Sequence, residues 1–200
     1  MNGWCAKLTY DPATGWITSM TDPAGNTTTY AYYGVNQANA GKLECQTGPT
    51  GKKTYYAYTT QGQLYQTWGD VPYPAEYLYS QYGDLTNLIT FRGGSGWTVS
   101  SWPSSPGAGD NTYWIYDDAS GALLKKIDDQ GNATTYTYDP TTGRLVTRAW
   151  ARLVNGNPVT VTNYYDGYGD LTEQDYNDGT ASVIYTNYNR AGLLRKITDA

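Results

Sequence analysis

The stretch TYTYDPTTGRL, residues 135–145, decides the fold because the chain contains variants of it from end to end. LTYDPATGWI at residues 8–17 and WIYDDASGALL at residues 114–124 repeat its order of tyrosine, aspartate, glycine and aliphatic residue. Aligning the chain on the tyrosine gives eight units, whose anchors are Tyr10, Tyr32, Tyr58, Tyr79, Tyr116, Tyr138, Tyr165 and Tyr188. Self-similarity at a nearly fixed period predicts a repeat architecture.

A glycine and an aliphatic residue keep their distance from each anchor tyrosine. In seven units a glycine follows four or five residues later, at Gly15, Gly62, Gly83, Gly121, Gly143, Gly169 and Gly192, and an insertion in the second unit delays it to Gly41. Two residues beyond each glycine stands an aliphatic residue: Ile17, Leu43, Leu64, Leu85, Leu123, Leu145, Leu171 and Leu194. We interpret these tyrosines and glycines as structural anchors rather than ligand-binding groups, since aromatic ladders ordinarily stabilise sheets.

Each unit has the pattern of a β-hairpin. Aspartate can hydrogen-bond to its own backbone and glycine accepts positive φ, so Tyr-Asp-x-x-x-Gly predicts a turn. A second turn follows at stretches such as DPAGN (residues 22–26) and DDQGN (residues 128–132). The return strand alternates, as Thr134, Tyr136 and Tyr138 do, which is typical of a strand. The anchors are therefore expected at equivalent places on successive hairpins, as a ladder of rings on one face.

Eight hairpins predict about sixteen strands in an all-β chain. The 22 Tyr and 7 Trp residues favour strands, whereas aliphatic residues are too few for a second layer. We expect tandem hairpins in one long, curled antiparallel sheet, because open sheets rarely exceed about 10 strands without curling. Residues 1–200 are then a single repeat array. The last unit stops at ITDA before its second turn and would leave a bare strand edge, so we expect an excerpt of a longer array.

Composition excludes several classes of function. A net charge of −5 provides no basic stripe for phosphates, so no nucleic-acid partner is expected, and no apolar run is long enough to span a membrane. Without histidine, Ser-His-Asp triads, Cys-His pairs and histidine-ligated metal sites are excluded. We expect no cofactor, no metal and no catalytic residue. Cys5 and Cys45 are either bridged or two reduced core cysteines.

Acidic residues suggest two weaker possibilities. The pairs Asp117–Asp118 and Asp128–Asp129 could serve acid–base chemistry on a glycoside, and DYNDG at residues 175–179 approaches a calcium loop. All three stretches coincide with predicted turns, where aspartate needs no catalytic explanation. We therefore interpret them as turn residues.

The longest step between anchors contains the loop RGGSGWTVSSWPSSPGAGDN, residues 92–111. Long loops are usually functional or mobile, and this one carries Trp97 and Trp102. Either the two rings form a platform for a sugar ring or a partner chain, or they fold back and cover the sheet. We favour covering, because exposed rings gain from burial. Shorter insertions are predicted at residues 34–40 and 151–158.

The motif YDPTTGRL, residues 138–145, resembles the YD repeat of RHS proteins, related to the repeats of teneurins and insecticidal toxin complexes. The resemblance covers essentially the whole chain. Some units depart from the motif, since only four anchors are followed by aspartate and only Gly143 by arginine. These departures weaken the turn prediction for the units at Tyr32, Tyr58 and Tyr79.

The resemblance implies a spiralling β-shell that in bacterial members can enclose a toxic C-terminal domain. It therefore implies a secreted or cell-surface bacterial protein whose partners are neighbouring repeats and an enclosed effector domain. Our first hypothesis is a non-enzymatic structural segment of such a shell. The alternative is an adhesion or carbohydrate-binding module that uses Trp97 and Trp102 to bind surface glycans, and a glycan-cleaving enzyme ranks third.

Overall fold

The computed structural model describes residues 5–92 and 96–199, and every helix or strand in that part of the chain is a β-strand. The chain divides into two compact units, residues 1–111 and 112–200. The first unit contains β1 (Lys7–Tyr10), β2 (Ile17–Thr21), β3 (Thr27–Tyr32), β4 (Leu43–Thr47), β5 (Lys53–Tyr58), β6 (Leu64–Gly69), β7 (Ala75–Tyr79) and β8 (Leu85–Thr90).

The second unit continues the same pattern. Its strands are β9 (Asp110–Tyr116), which begins at the end of the first unit, β10 (Leu123–Ile127), β11 (Ala133–Tyr138), β12 (Leu145–Val154), β13 (Asn157–Tyr165), β14 (Leu171–Tyr176), β15 (Val183–Thr186) and β16 (Lys196–Thr198). Strand order in the sheet follows chain order, and the paired strands are antiparallel. The predicted fold class, an all-β chain of tandem hairpins in one antiparallel sheet, is confirmed.

The anchor tyrosine and the aliphatic residue of the same unit set the register of each hairpin. They lie directly opposite each other in seven hairpins, as Tyr10 with Ile17, Tyr32 with Leu43, Tyr58 with Leu64, Tyr79 with Leu85, Tyr116 with Leu123, Tyr138 with Leu145, and Tyr165 with Leu171. A register shift lies next to each of these pairs, as a β-bulge produces. The turn thus joins the strands through the same irregular step each time.

Asp139 shows how the tyrosine-aspartate turn is held. Its Oδ1 accepts hydrogen bonds from the backbone N–H groups of Thr141 (3.0 Å) and Thr142 (2.7 Å) and from the Thr142 hydroxyl (2.9 Å). The Gly143 N–H donates to the Asp139 carbonyl at 2.8 Å, and Gly143 has a φ of 69°. This φ favours glycine because a Cβ would strain the backbone. The other anchor glycines and Gly41 likewise have positive φ, up to 96° at Gly83.

The second turn of a unit uses an aspartate and an asparagine four residues later. Asp22 accepts the backbone N–H of Asn26 at 2.9 Å and its side-chain amide at 2.8 Å. Asp128 holds Asn132 in the same way, at 2.8 and 3.0 Å. Both turns are therefore closed by local side-chain bonds that compensate for the small amount of apolar burial.

The predicted insertion at residues 151–158 is instead an extension of the hairpin. β12 and β13 continue through it and meet at Asn155 and Gly156, whose φ values are 52° and 78°. Two successive residues with positive φ form the tight turn that matches the twist of the flanking strands.

The core is thin, as expected for a single layer. The buried apolar residues of the described chain are Cys45, Ala75, Phe91, Val159 and Val161, and none of the largest side chains is fully enclosed. Cys45 is buried and Cys5 is exposed, and both are free thiols. The cysteines are therefore not bridged. The expectation of two core thiols is wrong for Cys5, which precedes β1 and remains exposed.

Because the turn aspartates have lowered pKa values, we expect the protein to lose stability in acid. Hydrogen bonds from the Thr14 side chain, the Asn26 side chain and the Thr142 backbone lower the pKa of Asp11, Asp22 and Asp139, respectively. A lowered pKa adds stability that is present above the unfolded-state pKa of about 4 and is lost as pH falls through the folded value.

We therefore expect the melting temperature to fall between about pH 5 and pH 2, as measured by circular dichroism. Asp22→Asn and Asp139→Asn keep an acceptor oxygen without the titration, so the double variant should show a shallower fall. An equally steep fall in the double variant would contradict this account.

Candidate functional site

The loop tryptophans pack on one another and on the sheet of the first unit. The ring centroids of Trp97 and Trp102 are 4.9 Å apart, with an interplanar angle of 77°. Both rings contact Phe91, at 5.5 Å from Trp97 and 5.4 Å from Trp102. Edge-to-face pairs at these distances are favourable beyond the area they bury. Phe91 is only 3% exposed, so the loop covers the ring that follows β8.

The cluster extends onto the strands through Trp68. Trp102 meets Trp68 edge to face at 6.1 Å, and Trp68 stacks on Tyr55 at 5.6 Å. Tyr55 and Trp68 are partners in the pairing of β5 with β6. The indole N–H of Trp68 is buried without a hydrogen-bond partner in the described residues. Trp97 and Trp102 are half-buried, so the geometry fits a cover over the sheet better than a free platform. Residues 93–95 of the predicted loop lie outside the described residues.

Replacing Trp97 and Trp102 together with alanine tests the covering role. Because each ring loses aromatic contacts and Phe91 becomes exposed, we expect the free energy of unfolding to fall by about 2–4 kcal/mol. Urea unfolding followed by circular dichroism measures the change, and Val99→Ala in the same loop is the control. Unchanged stability together with lost binding on a glycan array would instead support the sugar platform.

The anchor tyrosines connect successive hairpins through their phenol groups. The Tyr58 hydroxyl donates to the Leu43 carbonyl at 2.9 Å, and Leu43 belongs to the preceding unit. The same bond recurs from Tyr79 to Leu64, Tyr138 to Leu123, Tyr165 to Leu145 and Tyr188 to Leu171, at 2.6–2.9 Å. Each phenol thus satisfies the carbonyl of the first residue in the preceding strand, where strand pairing ends.

The bond explains why tyrosine rather than phenylalanine occupies the anchor. Burial raises the pKa of the Tyr32, Tyr58, Tyr79 and Tyr138 phenols. These groups therefore remain protonated donors across the physiological pH range. Tyr58 on β5 lies opposite Leu64 on β6, and its hydroxyl donates to the Leu43 carbonyl on β4. One anchor side chain therefore connects three strands.

The ring contacts of the anchors involve residues between them rather than the next anchor. Trp16 packs on Tyr32 at 5.3 Å, and the Lys42 ammonium lies 5.1 Å from the Tyr58 ring centroid. The Arg144 guanidinium lies 5.7 Å from the ring of Tyr165. Successive anchors are two strands apart, or about 10 Å, which is too far for direct stacking. In the expected ladder of anchor rings, other side chains therefore lie between successive tyrosines.

In these three contacts the interleaving residue directly follows a turn glycine, and we call a residue at this position the clamp residue. Besides covering the next anchor, it lies against the next turn glycine. A Cβ on Gly41 would come within 3.0 Å of the Trp16 ring, and one on Gly62 within 2.8 Å of Lys42 Cε. Gln63 donates to the Gly83 carbonyl at 3.0 Å instead. The arginine of the Gly-Arg-Leu motif is thus one form of a clamp between neighbouring units.

Ala122 is too short to clamp, and nothing lies within 4 Å of a Cβ on Gly143 in the next unit. We expect Ala122→Arg to stabilise the chain by about 0.5–1 kcal/mol, because a guanidinium over Tyr138 would reproduce the contact of Arg144 with Tyr165. Arg144→Ala should cost a similar amount. Thermal unfolding of both variants measures this, and a destabilising Ala122→Arg beside a neutral Arg144→Ala would refute the clamp.

Sequence reasoning missed the caps of the units that lack aspartate. Thr59 Oγ1 accepts the Gln63 N–H at 3.2 Å, and Ser80 Oγ accepts the N–H groups of Tyr82 and Asp84 at 3.1 and 3.2 Å. Asn189 Oδ1 accepts the N–H groups of Ala191 and Leu193 at 2.9 Å. A capping side chain after the tyrosine was the available signal, since Thr, Ser and Asn favour such turns.

Among the candidate catalytic and calcium-binding carboxylates, Asp117, Asp128 and Asp178 hold turns. Asp117 accepts the N–H and hydroxyl of Ser120, and Asp178 accepts the Thr180 N–H and pairs with Arg152. Within residues 5–92 and 96–199, no three His, Cys, Asp or Glu residues are placed to hold a metal ion. The described residues also contain no helix long and apolar enough to cross a bilayer.

Comparisons with known proteins agree with this geometry. A family model described as RHS Repeat matches residues 3–34. No curated protein matches the sequence. Among solved structures, the crystal structure of TcdB2-TccC3-Cdc42 aligns with a TM-score of 0.69 at 15% identity, covering 96% of this chain and 10% of that chain.

Two related crystal structures align equally well. TcdB2-TccC3 without its hypervariable C-terminal region gives a TM-score of 0.69 at 21% identity, and TcdB2-TccC3 gives 0.68 at 15%. The first alignment covers 94% of this chain and the second 96%, and each covers 10% of the solved chain. The chain therefore spans about a tenth of the solved chains that share its fold. The resemblance to RHS-repeat proteins is confirmed: the chain contains an RHS repeat at residues 3–34 and has the hairpin-sheet fold of TcdB2-TccC3.

Proposed function

We propose that the chain is a non-enzymatic structural segment of a secreted or cell-surface bacterial RHS-type protein. Its hairpins form part of a β-shell that encloses or presents a C-terminal effector domain. Residues 1–200 act as one repeat array within a longer chain, with the tyrosine and glycine anchors as its structural residues.

The recurring bond from an anchor phenol to the preceding Leu carbonyl carries this proposal. Tyr58, Tyr79, Tyr138, Tyr165 and Tyr188 all make it, so in five units the anchor phenol bonds to a backbone carbonyl of the preceding unit. Such nearest-neighbour contacts let a sheet grow by adding units, as repeat proteins do. A structural wall of this kind needs no catalytic residues.

The comparisons support the enclosing role. The chain matches only a tenth of the length of TcdB2-TccC3, and one of those structures lacks a hypervariable C-terminal region. A repeat segment followed by a separate C-terminal region is consistent with the architecture that the RHS resemblance implies. Asp117, Asp139 and Asp178 bind groups of their own turns, which supports a non-enzymatic role.

Limited proteolysis of the full-length parent protein tests the proposal. We expect the segment that follows the repeats to resist protease while the sheet is folded, and to be cleaved rapidly once urea unfolds the repeats. The same segment produced alone is the control. If the segment is cleaved at the same rate alone and in the parent, the repeats do not enclose it.

A further inference from the structure

An open hollow lies on the surface of the second unit, over β10, β11 and β12. Its volume is about 620 Å³, and its lining includes Lys126, Asp128, Tyr136, Arg148, Trp150 and Arg152. Three cations and one carboxylate thus line the space in a chain whose net charge is −5. We call this space the basic hollow.

Strand register places its basic and aromatic residues on one face. Lys126 lies opposite Trp114 on β9 and Thr134 on β11, and Arg148 on β12 lies opposite Tyr136 on β11. Thr134 and Tyr136 are two residues apart on the same strand, so both point to the same side. The two cations are therefore two strands apart and offset by two residues along the strands, which places their backbones about 12 Å apart.

Aromatic rings position the two cations. The Arg148 guanidinium lies 4.8 Å from the Trp150 ring centroid and 6.0 Å from that of Tyr136, and the Lys126 ammonium lies 5.4 Å from the ring of Trp114. A guanidinium stacked on rings keeps its in-plane N–H donors available for a carboxylate. Lys126 and Arg148 are exposed on this surface.

The anionic groups nearby do not neutralise these two cations. Asp128 is engaged by both nitrogens of Asn132, and Arg152 is the hollow's cation that has an ion pair, with Asp178. Within the described residues, neither Lys126 nor Arg148 forms an ion pair or a hydrogen bond through its side chain. Two positioned positive charges therefore face the solvent together.

We propose that the basic hollow binds a carboxylate-rich polypeptide segment. Charge complementarity selects an anionic ligand, and the spacing of about 12 Å suits carboxylates three to four residues apart on an extended chain. A sugar would need an open ring face for stacking, whereas Arg148 covers a face of both Tyr136 and Trp150. This binding site extends beyond the structural role and does not depend on what the parent protein encloses.

Fluorescence anisotropy with a labelled ten-residue oligoglutamate tests the site on the whole chain. We expect binding that weakens as salt is added, and no binding of the matching oligoglutamine. Lys126→Gln together with Arg148→Gln should weaken binding by about tenfold or more. Arg190→Gln together with Arg195→Gln removes the same charge outside the hollow and should leave binding within about twofold.

Circular dichroism establishes that each variant is folded, and Arg148→Lys, which keeps the charge but not the planar fork, provides a milder second variant with intermediate affinity. The proposal is overturned if oligoglutamate does not bind, or if both double variants weaken binding equally. Tighter binding of a heparin oligosaccharide than of oligoglutamate would assign the hollow to an acidic glycan instead. None of these outcomes affects the proteolysis test of the shell.

Discussion

Replacing Tyr58 with alanine is expected to lower the free energy of unfolding by about 2–3 kcal/mol. The substitution removes the hydroxyl that donates to the Leu43 carbonyl, and the ring that packs edge to face on Tyr33 at 6.1 Å. It also exposes the gap between β4 and β6, because Tyr58 lies opposite Leu64 while bonding to Leu43. Urea denaturation followed by circular dichroism measures the change.

Two controls separate the contributions of the hydroxyl and the ring. Tyr58→Phe keeps the ring and leaves the Leu43 carbonyl without its donor, so a loss of about 1 kcal/mol is expected. Tyr168→Ala removes a tyrosine that is 93% exposed and should change stability by less than about 0.5 kcal/mol. Equal losses at Tyr58 and Tyr168 would show that the anchor position has no special role.

Replacing Gly69 with alanine is expected to cost about 2–4 kcal/mol. Gly69 has a φ of 111°, and a Cβ there would collide with the Lys53 carbonyl oxygen. That carbonyl accepts the Asp70 N–H at 2.7 Å, and the Asp70 carboxylate accepts the Lys53 N–H at 2.8 Å. The backbones therefore cannot separate without breaking two hydrogen bonds.

Gly25 provides the matched control for Gly69. Its φ is 88°, but a Cβ would meet nothing within 4 Å, so Gly25→Ala incurs only the backbone strain of about 1–2 kcal/mol. In thermal and urea unfolding, Gly69→Ala should be clearly less stable than Gly25→Ala. Equal losses would mean that φ alone explains the glycine and that the approach of Lys53 is irrelevant.

Local patterns were sufficient to predict the hairpins. The spacing from Tyr138 to Gly143 and Leu145 predicted both the turn and the cross-strand pair, because bonds within a few residues determine them. The Asn155-Gly156 turn also had a sequence signal, since this dipeptide is typical of two-residue hairpin loops. Residues 151–158 were nevertheless predicted as an insertion, because that prediction relied on the repeat period rather than on the Asn-Gly dipeptide.

Contacts between units could not be predicted in the same way. Position in the repeat predicts that Arg144 directly follows the turn glycine. The contact of its long side chain with Tyr165, however, depends on the neighbouring hairpin. Similarly, the loop around Trp97 and Trp102 has no period, so only the structure shows that both rings reach Phe91. Side-chain placement between elements depends on packing rather than on local propensity.

Hydrogen exchange of Tyr58→Phe, followed by mass spectrometry, tests most directly whether anchor phenols join neighbouring hairpins. The bond from Tyr58 to Leu43 connects β5 to β4, so amides of β4, β5 and the adjoining β6 should exchange faster than in the unmodified chain. Tyr168→Phe should leave that region unchanged. The account predicts a change confined to β4, β5 and the adjoining β6, whereas unaltered exchange there, or a uniform increase from residue 5 to residue 199, would contradict it.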